Sequence, residues 1–172
     1  MNDYKSGTCC PVDIMLKPYE LMLGAHVGMM RRVRSVELGC KGHHGIPGKT
    51  WEYDILGAIG EMAIAKLTDR FWEGTVNTFK NQGDVGEWEV RTTESHTNKL
   101  IVRPEDPDDS IFWFVSTESI TIYRVHGWIL GSDAKQKVWE KSPNNRPAAF
   151  FVPSDALQKD WTDDYILDVK WE

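Results

Sequence analysis

The stretch over residues 51–69 constrains the fold most, because it has the length of a helix and is apolar on nearly every side. Between Ile55 and Leu67 its only charged residues are Glu61 and Lys66. A helix of this composition is expected to be largely buried, and an ionised carboxylate buried without a partner would shift its pKa or strongly destabilise the fold. The sequence therefore predicts a central helix whose lone acid, Glu61, meets either a cation or a metal ion.

The pattern of apolar residues changes along the chain from helical to extended. A first helix is predicted from residue 18 to residue 37, and Gly57 and Gly60 would let the second helix approach a sheet closely. Downstream, short runs rich in β-branched and aromatic residues predict consecutive strands. These runs cover residues 75–80, 87–93, 99–103, 111–117, 120–130, 148–152 and 165–169, with a short helix over 132–141. The predicted fold class is α+β, with N-terminal helices followed by a mixed, mostly antiparallel β-sheet and a further short helix and strand.

The length of 172 residues fits one domain with its own core. We predict a tether over residues 1–17, which show no periodicity, and a single domain over residues 18–172. No window approaches the ~20 apolar residues of a membrane span, so a cytoplasmic protein without membrane contact is expected. Three cysteines form an odd set that fits a reducing compartment, and the alternative is a zinc site built from Cys9, Cys10, Cys40 and His43.

The net charge of −6 disfavours contact with a polyanion unless local basic patches or bridging metal ions provide it. One patch comprises Arg31, Arg32, Arg34, Lys41, His43 and His44, and a second comprises Arg91, His96, Lys99 and Arg103. Basic clusters of this size also occur on ordinary solvated surfaces. Composition alone therefore leaves nucleic-acid binding open.

The segment GDVGEWEVRTT, residues 83–93, carries the densest chemistry of the chain. Read as a strand, it directs Glu89 and Arg91 to one face and Val90 to the other, while Asp84 lies in a glycine-flanked turn. If Glu61 packs over this strand, three carboxylates converge, and a divalent metal ion would offset their repulsion. The alternative is an ion pair between Glu61 and Arg91 without a metal.

The order of these residues resembles the active-site signature of the PD-(D/E)xK nuclease superfamily, which has the restriction-endonuclease-like fold, and the chain is similar to uncharacterised phage-encoded proteins. The resemblance implies a nuclease that hydrolyses DNA phosphodiesters with Mg²⁺ (or Mn²⁺). It assigns the metal to Glu61, Asp84, Glu89 and the carbonyl of Val90. Arg91 takes the position where the family most often has lysine, and the resemblance gives it a contact with the phosphate.

Three residues follow the motif closely enough to contact a bound DNA backbone: Thr93, His96 and Lys99. Homodimers are frequent for this fold, so a second copy of the chain is a candidate partner. Arginine stays charged at any working pH and cannot act as a base, which favours a second hypothesis. In that hypothesis the protein is a catalytically inactive nucleic-acid-binding or phage accessory protein that keeps the fold.

Overall fold

The computed structural model describes residues 11–39, 49–76, 83–143 and 146–160. Within these ranges a short strand and two long helices precede the remaining strands, and the class is α+β as predicted. The elements are β1 (Val12–Met15), α1 (Pro18–Glu37), α2 (Thr50–Leu67), β2 (Glu89–Thr93), β3 (Leu100–Val102), β4 (Ile111–Thr117), β5 (Ile122–Leu130), α3 (Gly131–Ala134), β6 (Glu140–Lys141) and β7 (Ala149–Val152). Within the same ranges, neither long helix combines the length and the apolar composition needed to cross a bilayer.

The strands form two sheets. The larger has the order β1-β5-β4-β2, in which β5 pairs antiparallel with β1 and β4, and β2 pairs parallel with β4. The smaller has the order β3-β7-β6 and is antiparallel throughout. The parallel pair arises because the chain leaves β2, forms β3 in the smaller sheet and returns to β4 in the same direction.

The structure corrects the sequence prediction at both ends of the sheets. The tether predicted over residues 1–17 contains β1, which pairs with β5, and its Ile14 and Leu16 are buried, whereas residues 1–10 lie outside the described ranges. The helix predicted over 132–141 ends at Ala134, because Glu140 and Lys141 instead pair with β7. Residues 75–76 are not in a strand, and the remainder of the predicted strand 75–80 and all of 165–169 lie outside the described ranges.

Strand β4 separates two apolar cores. Side chains alternate along a strand, so Trp113 and Val115 point toward α2, while Phe112 and Phe114 point toward the smaller sheet. The first core holds α2, with a continuous buried run from Ala58 to Ala65. The acid of this helix therefore lies inside the protein, as its sequence predicted.

Glycines set the distance between α2 and its neighbours. A methyl group at Gly28 of α1 would lie 2.5 Å from the Cα atom of Ile55, so the two helices cross in close contact. A methyl group at Gly60 would overlap the side chain of Thr92 on β2, whereas Gly57 has no atom within 4 Å of that position. The predicted close approach to a sheet is thus confirmed at Gly60 and is wrong at Gly57.

The two glycines of α2 provide a matched pair of substitutions. We expect Gly60→Ala to lower the free energy of unfolding by about 1–3 kcal/mol, because the added methyl must displace Thr92 or move the helix. Gly57→Ala is expected to raise it by up to about 1 kcal/mol, since alanine is the better helix former and the position is open. Urea unfolding measures both, and equal effects of the two substitutions would contradict the close contact.

Candidate functional site

Glu61 lies at the centre of a buried ion pair. Its side chain is 4% exposed, and the guanidinium of Arg31 on α1 donates to both carboxylate oxygens, at 2.5 Å to Oε1 and 2.8 Å to Oε2. The indole Nε1 of Trp72 also donates to Oε2, at 3.1 Å. The predicted alternative, an ion pair between Glu61 and Arg91, is therefore wrong. The cation that binds Glu61 comes from the neighbouring helix α1.

Asp84 is held by a tight turn that leads into β2. Its backbone N–H bonds the carbonyl of Trp88 at 2.7 Å, and Gly86 has a φ of 61°, a conformation that glycine adopts without strain. The Asp84 carboxylate accepts the N–H of Val90 at 2.8 Å through Oδ2. This turn brings Asp84 beside the start of β2, so the short spacing to Glu89 is sufficient to place the two acids together.

The three acids interact through their charges. Burial raises the pKa of Asp84 to about 6, and the negative charge of Glu61 acts in the same direction. Burial also raises the pKa of Glu89, and the charge of Asp84 adds to that effect. Asp84 is therefore coupled by charge to Glu61, and Glu89 is coupled to Asp84, while the positive charge of Arg91 acts on both Asp84 and Glu89 in the opposite direction.

Arg91 lies between two carboxylates. Nη1 donates to Oε2 of Glu89 at 2.9 Å, Nη2 lies 3.3 Å from Oδ2 of Asp106, and the guanidinium is 5.2 Å from the ring centroid of Phe112. Asp106 also accepts the backbone N–H of Arg103 at 2.9 Å. The acidic turn over residues 104–109 thus supplies one residue, Asp106, that fixes Arg91.

Asp84 and Glu89 are the two acids of this site that could hold a magnesium ion. Among the described residues, no group of three or more His, Cys, Asp and Glu side chains has an arrangement that could hold a metal ion. Both oxygens of Glu61 already bind Arg31 or Trp72, so the structure does not assemble the predicted three-carboxylate ligand set. The negative charge of Asp84 acts on Glu89, so the two carboxylates are close enough to interact. Mg²⁺ commonly uses one or two carboxylates and retains several waters.

The predicted substrate-binding residues separate into two groups. Thr93 and Lys99 line a groove that begins at Arg91 and encloses about 640 Å³. We call it the basic groove, and it is lined by Val90, Arg91, Thr92, Thr93, Thr97, Asn98, Lys99, Ile101, Arg103, Phe114, Arg146 and Phe151. His96 is not part of it, and its Nδ1 lies 3.7 Å from a carboxylate oxygen of Glu118.

His126, the alternative zinc site and the carbonyl of Val90 lie apart from the basic groove or are not tested by the structure. His126 of β5 is buried, and its Nε2 lies 2.8 Å from the hydroxyl of Ser116, so this histidine has a partner inside the protein. The alternative zinc site falls on Cys9, Cys10, Cys40 and His43, all of which lie outside the described ranges. The carbonyl of Val90 as a metal ligand stays a prediction.

We expect the stability of the metal-free protein to depend on Asp84 in a defined pH window. The folded pKa, about 6, exceeds the ordinary value of 3.8, so the native state binds the extra proton between these values. The contribution of Asp84 to stability therefore decreases as pH rises from about 4 to about 6. Asp84→Asn is expected to raise the free energy of unfolding at pH 8, in the presence of a chelator, by on the order of 2 kcal/mol.

Thermal unfolding between pH 4 and pH 8 measures this effect. The difference between Asp84→Asn and the unchanged protein should shrink toward pH 4, where the carboxyl is protonated. Asp109→Asn is the matched control, because Asp109 is exposed in the turn that follows β3. An Asp84→Asn protein that is less stable than the unchanged one at pH 8 would contradict the electrostatic account.

No protein-family model, no curated protein and no solved structure matches this chain. Its function must therefore be inferred from the acid cluster, Arg91 and the basic groove themselves.

Proposed function

We propose that this protein is a divalent-metal-dependent nuclease that hydrolyses DNA phosphodiester bonds. The observation that carries the proposal is the acid pair of Asp84 and Glu89, whose pKa values are both raised and whose charges act on Arg91, a residue that lines the basic groove. Perturbed carboxylates next to a cleft are typical of functional sites. The negative charge of the pair and the cations of the groove match the two needs of phosphoryl chemistry, a metal ion and a bound polyanion.

Asp84 and Glu89 would hold the Mg²⁺ or Mn²⁺ ion. When bound, such an ion polarises a phosphoryl oxygen and lowers the pKa of a coordinated water. The hydrogen bond from Val90 N–H to Asp84 fixes one carboxylate, and Arg91 fixes the other. Both acids are therefore oriented before any substrate arrives.

Arg91 binds rather than deprotonates. Its guanidinium is charged at any working pH, so its role is to contact a phosphate oxygen, for which arginine has the donor geometry. The side chain is 29% exposed and lines the basic groove, which makes it accessible to a substrate. Glu61 and Arg31 have an indirect role in this proposal and do not bind the metal ion or the substrate. Their ion pair holds α1 and α2 together, and the negative charge of Glu61 acts on Asp84.

The further parts of the proposal come from the resemblance to the PD-(D/E)xK superfamily and, for the cellular location, from the composition of the sequence. They are a restriction-endonuclease-like core, an origin among phage-encoded proteins, a location in the cytoplasm and a homodimeric state. None of them is needed for the chemistry of the acid pair. They stay predictions.

A second candidate function is a nucleic-acid-binding or phage accessory protein without turnover. It is favoured by the commitment of Glu61 to Arg31 and Trp72, because these bonds satisfy the carboxylate without a metal ion. In this case the basic groove would bind the polyanion and the acid pair would have only a structural role.

Incubation of the purified protein with single-stranded and duplex DNA separates the two functions. The nuclease proposal expects cleavage with Mg²⁺ or Mn²⁺ and none with a chelator. It also expects either ion to raise the melting temperature, since a ligand that binds the folded state stabilises it. DNA binding without cleavage, together with no metal-dependent rise in melting temperature, would support the second function and exclude the first.

A further inference from the structure

The basic groove has a regular chemical pattern on one strand. Lys99, Ile101 and Arg103 alternate with the buried residues Leu100 and Val102, so their side chains share the outer face of β3 and its flanks. The pattern therefore places an apolar residue between two cations, spaced along an extended backbone. Such a row can follow an extended polyanion.

Arg91 is paired with Glu89 and Asp106, but the other three cations that line the basic groove have no such carboxylate partner within the described ranges. Among the described residues, the side chains of Lys99, Arg103 and Arg146 have no acid within ion-pair distance. By contrast, Arg31 binds Glu61 and Arg32 binds Asp54. In a chain of net charge −6, three such cations lining a single groove leave a local positive field that an anion can use.

The floor of the basic groove is apolar. Ile101 on β3 and Phe151 on β7 are directly opposite each other in the antiparallel pair, and both line the groove. Ile101 is 42% exposed and Phe151 is partly exposed. An aromatic ring flanked by cations is the arrangement on which an unpaired base stacks while its phosphates bind the basic side chains.

We propose that the basic groove binds single-stranded nucleic acid, with phosphates at Lys99, Arg103 and Arg146 and a base stacked on Phe151. The inference deepens the proposed function, on which it rests, by defining the form of the substrate. A volume of about 640 Å³ suits a small ligand or a short single-stranded segment. In a duplex the base faces are already stacked, so Phe151 would have no base to contact.

Fluorescence anisotropy with labelled oligo(dT) and oligo(U) of about 12 nucleotides, a length within known single-strand site sizes, tests the proposal in a chelator, where cleavage is absent. A hairpin duplex of the same length is the competitor. We expect both single strands to bind, and the hairpin to bind at least tenfold more weakly. Binding of oligo(dT) alone would identify the ligand as DNA, and equal binding of oligo(U) would extend it to RNA.

Two sets of substitutions, each of which removes three positive charges, distinguish contacts in the basic groove from a general effect of net charge. The groove set is Lys99→Gln, Arg103→Gln and Arg146→Gln, and the control set is Arg34→Gln, Lys137→Gln and Lys141→Gln, which lie on exposed positions outside the groove. Loss of three phosphate contacts should reduce the slope of log affinity against log salt concentration by about 2. The control set should leave that slope unchanged.

Substitution of Phe151 tests the stacking platform. Phe151→Leu retains an apolar side chain, and Phe151→Ala removes most of it. Both are expected to weaken binding by about fivefold or more without changing the salt slope, since stacking involves no counterion release. Thermal unfolding checks that the variants are folded.

Three outcomes would overturn the inference. They are the absence of single-strand binding, equal binding of the hairpin, and equal losses from the groove and control sets. Because the assay needs no metal ion, it is independent of turnover. Single-strand binding by a protein that cuts no DNA would support the role of the basic groove and contradict the nuclease proposal. Cleavage without groove-dependent binding would support the nuclease proposal and contradict the role of the groove.

Discussion

Arg31→Met is expected to lower the free energy of unfolding by about 3–5 kcal/mol, because it leaves the buried carboxylate of Glu61 without its cation. The loss is large because Glu61 lies in the apolar core, where water cannot replace the two hydrogen bonds from the guanidinium. Urea unfolding at neutral pH measures it. The matched control is Arg34→Met on the same helix, whose ion pair with Glu37 is exposed and is expected to contribute less than about 1 kcal/mol.

The double substitution separates the value of the pair from the cost of a lone charge. Glu61→Gln removes the charge but keeps an oxygen that can accept the indole N–H of Trp72. In Arg31→Met with Glu61→Gln no uncompensated charge remains, so we expect most of the lost stability to return. A double variant as unstable as Arg31→Met would show that the loss comes from altered packing between α1 and α2 instead.

The same variant tests whether Glu61 retains a capacity to bind metal. In Arg31→Met both carboxylate oxygens are released from the guanidinium, next to Asp84. If Glu61 is able to join the acid pair as a ligand, Mg²⁺ should stabilise Arg31→Met more than it stabilises the unchanged protein. Equal stabilisation of the two proteins would limit the metal site to Asp84 and Glu89.

The long elements were predictable from sequence because each carries a repeated local signal. Helix α1 begins and ends at the predicted residues, and β4 covers the predicted run of apolar residues. Strand β1 was not predictable, because four residues are too few to show an alternation and their pairing with β5 joins distant parts of the chain. A 3₁₀ turn at Lys137–Trp139 and strand β6 replace most of the predicted short helix, and β6 also depends on a distant partner, β7.

The site shows the same division. The glycine-flanked turn and the alternation of side chains along β2 are local features, and they allowed the sequence to predict that Asp84, Glu89 and Arg91 lie together. The partner of Glu61 depends instead on how two helices cross, which a single sequence does not state. The sequence of α1 does carry one indication of this partner. Gly24, Gly28 and Arg31 are spaced so that they lie on one face of the helix, and the two glycines let that face approach α2 closely. The same face therefore brings Arg31 to Glu61.

Loss of either acid of the pair is expected to abolish cleavage. We expect Asp84→Asn and Glu89→Gln each to reduce the Mg²⁺-dependent cleavage rate by at least about a hundredfold, because the ion supplies several kcal/mol of charge stabilisation and each 1.36 kcal/mol is a factor of ten. Both variants remove a charge while keeping the shape of the side chain. The rate of single-strand cleavage under single-turnover conditions measures the effect.

Controls distinguish catalysis from folding and from substrate binding. Asp109→Asn removes an exposed carboxylate of the same charge and should retain the full rate. Asp84→Asn is expected to be more stable than the unchanged protein above pH 6, so lost cleavage in a stabilised protein cannot be attributed to unfolding. If Asp84→Asn also binds oligo(dT) with unchanged affinity in a chelator, the acid acts on the reaction and the basic groove on the substrate. Cleavage that survives both Asp84→Asn and Glu89→Gln would instead show that these carboxylates have no part in the reaction.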